Sequence, residues 1–322
     1  MCKYLLEQTS LMVYGTIRYR TTDSTTMNDY FPDNPRFNML HLDITDNVNV
    51  LNVIKKVKPR YFINFAAQSF VGKSWDIPHV TWTVNTMGVV NILSALKDEC
   101  PHCRFYNAGT SEEFGDVLYS PQNEEHPLRP QSPYAASKCA ARHAVRVYRE
   151  SHGMYAIQGW LFNHEGVRRG KDFVTRKITR TIASIKKKIE KGERFEPLEL
   201  GNMNAKRDWS DAEDFVDGVW KMLHQDGPPD EYVLSSGTMY SVRDFLEECL
   251  RVADIPWSKC ENDTYVHTTT GEVISRVNPD YYRPAEVRQL MGDNKNARLE
   301  LDWTPKTDFS TLVRKMFEHD YL

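Results

Sequence analysis

Arg104-Phe105-Tyr106-Asn107-Ala108-Gly109-Thr110-Ser111-Glu112-Glu113, followed by Gln131-Ser132-Pro133-Tyr134-Ala135-Ala136-Ser137-Lys138, is the stretch on which the reading of this chain turns. Residues 104–108 have the length and composition of a short buried strand. Gly109 to Glu113 then falls at its C-terminal edge, where open α/β sheets carry their ligand sites. Ser132 and Pro133 open a helix on which Tyr134 and Lys138 stand four residues apart and so share a face. An ammonium beside a phenol favours the phenolate, so Lys138 is expected to bring Tyr134 from its reference pKa of about 10 toward neutrality and make it a proton acceptor. Of the sixteen tyrosines, only Tyr134 has a lysine at that spacing. The pair alone reads equally well as an exposed helix pair without chemistry, and the upstream Thr110-x-Glu112 tips the reading toward a reaction centre.

With 322 residues and a net charge of -3, the chain is long enough for about two domains and has no global charge bias toward nucleic acid or membrane. No apolar run approaches the roughly 20 residues of a membrane span, and Met1 to Leu6 shows no secretory cleavage pattern, so a cytoplasmic location is expected. Six cysteines scattered over this length make no disulfide framework. Cys100-Pro101-His102-Cys103 has metal-ligand spacing but no second pair at zinc-ribbon distance, and Cys103 abuts the apolar strand; packing, with no metal, is expected.

Outward from Arg104, strands alternate with helices. A helix at Cys2–Gln8 without an N-cap runs into a strand at Leu11–Arg18; further strands are expected at Phe37–Leu42, Tyr61–Phe65 and Tyr155–Trp160. Helical regions are expected after Asp46, over Pro78–Cys100, and from Tyr134 to His152, where Gly153 stops the last one. This order argues for a parallel, doubly wound, Rossmann-like α/β sheet. Beyond Phe162 the rhythm changes, through polar Asn163-His164-Glu165, a basic helix over Phe173–Lys191 and late segments rich in Pro, Tyr and Arg. Residues 1–162 are therefore assigned to a nucleotide-binding domain, with 210–237 returning to it, and 163–209 and 238–322 to a smaller C-terminal substrate-binding part. In the basic helix, Ile178, Ile182, Ile185 and Ile189 recur at helical spacing, which makes Lys186-Lys187-Lys188 the wet side of an amphipathic helix.

At the end of the first strand stand Arg18 and Arg20, where an acidic residue would suit a ribose 2'-hydroxyl and arginine suits a 2'-phosphate. They favour NADP over NAD. Asp43, at the next strand end, reads either as an acceptor for an adenine amino group or as a helix N-cap with Thr45. Lys206-Arg207-Asp208-Trp209 and Tyr281-Tyr282-Arg283-Pro284 each set arginine beside an aromatic in a loop-like context suited to clasping a diphosphate and stacking a base.

These residues resemble the extended short-chain dehydrogenases, and within them the GDP-mannose 4,6-dehydratases. The resemblance spans nearly the whole chain. It runs through Gly15-Thr16-Ile17-Arg18, Ala66-Ala67-Gln68-Ser69, Thr110-Ser111-Glu112, Tyr134 with Lys138, Leu161 to Glu165, Arg168-Arg169-Gly170, Phe173 to Lys177, Leu200-Gly201-Asn202, Ala205 to Trp209 and Tyr282-Arg283-Pro284-x-Glu286-Val287. It implies a catalytic set of Thr110, Glu112, Tyr134 and Lys138 and an NADP cofactor. Nucleotide contacts would come from Arg18, Arg20, Asp43, Ile44, Phe65, Ala66, Ala67, Gln68, Ser69, His164 and Arg169, and contacts to a GDP-mannose substrate from Asn163, Arg207 and Arg283. A homo-oligomer, dimer or tetramer, is implied as well. Family members begin with a strand, a Gly-x-x-Gly-x-x-Gly turn and a helix that holds the pyrophosphate. No two glycines here are three apart. The expectation is thus a chain whose start lies upstream, with an inactive remnant that binds sugar nucleotide as the second reading and a related epimerase or reductase as the third.

Overall fold

A computed structural model describes residues 1–19, 34–282, 287 and 289–322; Arg20 and Arg283 lie outside the described residues. The chain divides into two compact units, one of Met1–Glu113, Leu128–Trp160 and Val216–Tyr232, and one, nearly as large, of Phe114–Pro127, Leu161–Phe215 and Val233–Leu322.

In the first unit the order is α1 (Cys2–Gln8), β1 (Val13–Ile17), β2 (Phe37–His41), α2 (Asn47–Val57), β3 (Tyr61–Asn64), α3 (Pro78–Trp82), α4 (Gly88–Glu99), β4 (Arg104–Ala108), α5 (Pro133–His152) and β5 (Ala156–Leu161). All pairings among these strands are parallel: β1 with β2, Val13 opposite Phe37, and β4 between β3 and β5, with Phe105 opposite Phe62 and Ala156. Parallel neighbours need long crossovers: α3 and α4 join β3 to β4 and α5 joins β4 to β5, with α2 leading into β3. Their apolar stripes close the core, with Val50 and Ile54 from α2, Ile92, Leu93 and Leu96 from α4, and Ala141 and Val145 from α5 packed around Phe105 and Ala156.

Local chemistry explains the ends. Ser132 caps α5 by accepting the Ala135 N–H at 3.1 Å, Pro133 takes a first-turn position, and Gly153 closes the helix at φ 63°, a left-handed conformation that costs glycine little. At α2 the cap is Asp46, which accepts the Asn49 N–H at 3.0 Å. The N-cap reading of Asp43 is thereby corrected: its carboxylate turns back on Thr45, accepting from the N–H at 2.9 Å and the hydroxyl at 2.7 Å. The helical region over 78–100 is interrupted between α3 and α4 by a π turn at Thr83–Met87, a local widening often found at functional sites.

The second unit contains β6 (Asn163–Glu165), α6 (Val174–Glu190), β7 (Leu198–Leu200), β8 (Lys206–Arg207), β9 (Trp209–Asp211), the start of α7 (Ala212–His224), α8 (Val242–Val252), α9 (Lys295–Glu300) and α10 (Phe309–Tyr321). Its core gathers Ile178, Ile182 and Ile185 of α6, Phe245, Leu246 and Leu250 of α8, and Leu312, Val313 and Met316 of α10. The isoleucine stripe of α6 faces inward, which leaves Lys187 to the water side. Two segments differ from expectation. Asn163-His164-Glu165 is a strand, paired in parallel with Trp209–Asp211. Arg207 lies in β8 between Gln289–Leu290 and Tyr240–Ser241, not in a loop. Trp209 is buried against Phe245 and Phe309, so it cannot stack on a base.

Candidate functional site

Strand β4 ends at Ala108, and the next residue must be glycine. A Cβ at Gly109 would stand 2.4 Å from the Gly159 carbonyl, 2.7 Å from Arg142 Nη2 and 2.8 Å from Glu113 Oε1. The chain then makes one tight turn, in which the Glu113 N–H donates to the Thr110 carbonyl at 3.1 Å and the Glu112 N–H to Thr110 Oγ1 at 3.3 Å. The Thr110 N–H donates to Glu113 Oε1 at 2.8 Å. Thr110 and Glu112 are left partly exposed at this turn, while Glu113 is fully buried.

Helix α5 carries Tyr134 and Lys138 one turn apart, and Lys138 reaches the same strand end. Both are buried, and the Lys138 ammonium donates to the Ala108 carbonyl at 2.8 Å, which ties the helix to the residue before Gly109. Burial, only partly offset by Glu113 and reinforced by Arg142, lowers the Lys138 pKa to about 8. One turn further along, Arg142 pairs with Glu113 through Nε at 2.6 Å and with Glu231 through Nη1 at 2.5 Å, and its guanidinium lies over the Trp160 ring at 3.5 Å. A ladder of buried amides crosses the three strands to meet this pair. Asn64 donates to Asn107 at 2.7 Å, Asn107 to Gln158 at 2.6 Å, and Gln158 to Glu113 Oε1 at 3.2 Å and the Lys138 carbonyl at 3.0 Å.

The remaining first-unit candidates also sit at strand ends. Arg18 follows β1, and Asp43 and Ile44 follow β2; burial pushes the Asp43 carboxyl up, but Thr45 and the nearby Arg18 charge outweigh it and hold it below the usual range. Phe65, Ala66 and Ser69, after β3, are exposed, with Ala67 and Gln68 partly so. The π turn ties these ends together. Asn85 accepts the Gln68 N–H at 2.8 Å and donates to the Gln68 carbonyl at 3.1 Å and to Ser137 Oγ of α5 at 3.0 Å, while Asn91 of α4 donates to the Ile44 carbonyl at 3.0 Å. An exposed cation, an ionised acceptor and open backbone at successive parallel strand ends, with a buried ammonium beside them, are a donor set that fits a nicotinamide dinucleotide.

Within the second unit, Asn163 and His164 start β6. His164 Nδ1 lies 2.9 Å from the Phe162 carbonyl, and its ring stacks on Phe215. Burial, against the Phe162 bond, lowers its pKa to about 4, so the ring is neutral at pH 7 with its proton on Nδ1 and Nε2 free to accept. Arg169 pairs with buried Glu165 at 3.1 Å and lies over Phe173 at 3.6 Å. Arg207 is buried, donating through Nη1 to the Val287 carbonyl at 2.9 Å.

Sequence reading missed Asn85, Glu113, Arg142 and the amide ladder. Arg142 had a signal, since it continues the i, i+4 row of Tyr134 and Lys138; Asn64, Asn107 and Gln158 had none, because only strand register makes them neighbours. Elsewhere, Cys103 is buried and its thiol pushed up to about 12, first by burial, which leaves it inert at neutral pH. No helix among the described residues is long and apolar enough to cross a membrane.

A family profile described as GDP-mannose 4,6 dehydratase matches residues 1–316. A GDP-mannose 4,6 dehydratase of Drosophila melanogaster is 41% identical over 332 aligned positions, covering 99% of this chain and 82% of the relative. Among solved structures, RMD from Pseudomonas aeruginosa complexed with NADPH superposes with a TM-score of 0.75 at 21% identity, over 92% of this chain and 94% of its own. The dTDP-glucose 4,6-dehydratase of Bacillus anthracis in complex with NAD superposes with a TM-score of 0.78 at 20% identity, over 98% and 90%. The Rossmann-like fold is thus shared with sugar-nucleotide dehydratases, and by the match over almost its full length this chain belongs to the GDP-mannose 4,6-dehydratase family.

Proposed function

We propose that the protein is an NADP-dependent GDP-mannose 4,6-dehydratase, converting GDP-α-D-mannose to GDP-4-dehydro-6-deoxy-D-mannose and water. The observation that carries the reading is Lys138, buried and bonded to the Ala108 carbonyl at the end of β4, one helical turn from buried Tyr134 and beside the Thr110-x-Glu112 turn that follows Ala108. Tyr134 takes the proton of the sugar 4-hydroxyl, and Thr110 Oγ1 orients that hydroxyl. The ketone formed at carbon 4 acidifies the carbon 5 proton; Glu112 removes it and passes it to the departing 6-hydroxyl, so that water leaves. NADP, when bound, would supply the hydride acceptor for carbon 4 and the donor for carbon 6 and be recovered unchanged, with one proton returned to carbon 5 and Tyr134 giving up the one it took, so that the net change is loss of water alone. Arg18 would meet its 2'-phosphate, which favours NADP over NAD, with Asp43, Ile44, Phe65 to Ser69, His164 and Arg169 along the rest of the nucleotide. Asn163, Arg207 and, outside the described residues, Arg20 and Arg283 complete the proposed contacts. A homo-oligomer is the proposed assembly.

The test is proton NMR of GDP-mannose deuterated at carbon 4, incubated with the protein and NADP in ordinary water. The expected product has a 6-methyl signal carrying the deuterium. A product protonated only from solvent at carbon 6, or no product, would count against internal hydride transfer.

A further inference from the structure

The Thr110–Glu113 turn holds two carboxylates, and the reaction uses only Glu112. Glu113 is wholly buried, yet both of its oxygens are engaged: Oε1 accepts the Thr110 N–H at 2.8 Å and Gln158 Nε2 at 3.2 Å, and Oε2 accepts Arg142 Nε at 2.6 Å. Its main chain is held as well, its N–H by the Thr110 carbonyl at 3.1 Å and its carbonyl by the Arg129 N–H at 3.2 Å. One side chain thus joins the catalytic turn, strand β5 and helix α5. Buried ion pairs contribute little stability over apolar groups of the same shape, so packing alone is a poor reason for a charge here. The local charges are Lys138, Arg142 and Arg149 against Glu113 and Glu231. Without Glu113, three cations would face one carboxylate.

We propose that Glu113 is a positioning residue, whose carboxylate, clamped by Arg142 and Gln158, sets the Thr110–Glu112 turn against α5 and balances the charge around Lys138. This rests on the assignment of Thr110, Glu112, Tyr134 and Lys138 as the catalytic set. It accounts for the glycine at 109, which leaves room for the pair, and for the amide ladder that ends on Glu113 Oε1. Glu113 also works against the downward pull of burial on Lys138.

The test compares the full chain with Glu113→Gln, with the apolar double variant Glu113→Leu/Arg142→Leu and with Tyr134→Phe, all assayed with NADP and GDP-mannose. Glu113→Gln should lower kcat about 10- to 100-fold with KM changed less than about threefold, the loss expected when reacting groups are displaced by a fraction of an ångström. Removing a negative charge makes Lys138 release its proton more readily, so the pH profile of kcat/KM should move to lower pH by about one unit. In the double variant, amide exchange in the peptide 108–114 should quicken at least about tenfold at a melting temperature within a few degrees of the parent, because the acceptor of the Thr110 N–H is gone. An unmoved pH profile in Glu113→Gln, or unchanged exchange in the double variant, overturns the proposal. Full activity of Tyr134→Phe would instead overturn the catalytic assignment, while the exchange result still judges the role of Glu113 in holding the turn.

Discussion

In the proposed mechanism a single oxygen at Tyr134 separates base from bystander. Tyr134→Phe keeps the buried ring and removes the proton acceptor, so kcat is expected to fall by about two to four orders of magnitude with an unchanged unfolding midpoint. Near-normal turnover would refute the assignment. Glu112 is proposed to act at a later step: Glu112→Gln should spare the first hydride transfer and block elimination, so absorbance of reduced cofactor near 340 nm, on the order of one equivalent per site, should build up after substrate is added. Lys138 carries a stability signature. Its pKa is about 8 in the fold, below its ordinary value of 10.5, so below pH 8 both folded and unfolded chains carry the charge and the burial penalty is felt in full. Between pH 8 and 10.5 the unfolded chain binds more protons, so stability from this group rises with pH. Lys138→Met should therefore be more stable than the parent by up to about 3 kcal/mol more at pH 7 than at pH 10.5. A gap between the two denaturation curves that stays constant with pH would show that the ammonium is not buried.

At the scale of elements, the turn between β4 and the proposed catalytic residues depends on the absence of a side chain at Gly109. Gly109→Ala adds one methyl within 2.4 Å of a backbone carbonyl, which cannot yield as a flexible side chain does. Overpacking of this kind costs about 1–3 kcal/mol, and the strain falls on Thr110. Urea unfolding should register the loss, and turnover should fall further than stability does. A variant with the parent's stability and activity would mean that β4 and β5 separate easily. The π turn between α3 and α4 works in the opposite sense, by adding contacts: it lets one asparagine, Asn85, reach both the β3 end at Gln68 and Ser137 of α5.

For the molecule as a whole, cofactor choice is readable as ligand-linked stability. A ligand that binds only the folded chain stabilises it by about 2.7 kcal/mol at a hundredfold excess over its Kd. With the Arg18 cation at the end of β1, NADP should raise the melting temperature more than NAD does at equal concentration, and Arg18→Ala should narrow the difference. Equal shifts in the parent protein would refute the preference.

Much of this was legible locally. The strand at Arg104–Ala108, the helix from Ser132 to Gly153 and the α6 stripe of Ile178, Ile182 and Ile185 follow from caps, turn residues and periodicity, which act over a few residues and survive without a partner. Tyr134 and Lys138 were visible for the same reason: one helical turn makes them neighbours. Family motifs supplied the identity of the chemistry. What only the tertiary structure decided is what depends on register between distant strands. Asn64, Asn107 and Gln158 form a ladder because β3, β4 and β5 align them. Glu113 meets Arg142 because the β4 turn folds onto α5, and Trp209 is core and not a stacking platform because β9 points it at Phe245 and Phe309. A shift of one residue in strand pairing would send Asn64, Asn107, Gln158 or Trp209 to the other face of its sheet, and no local pattern in the sequence specifies that pairing.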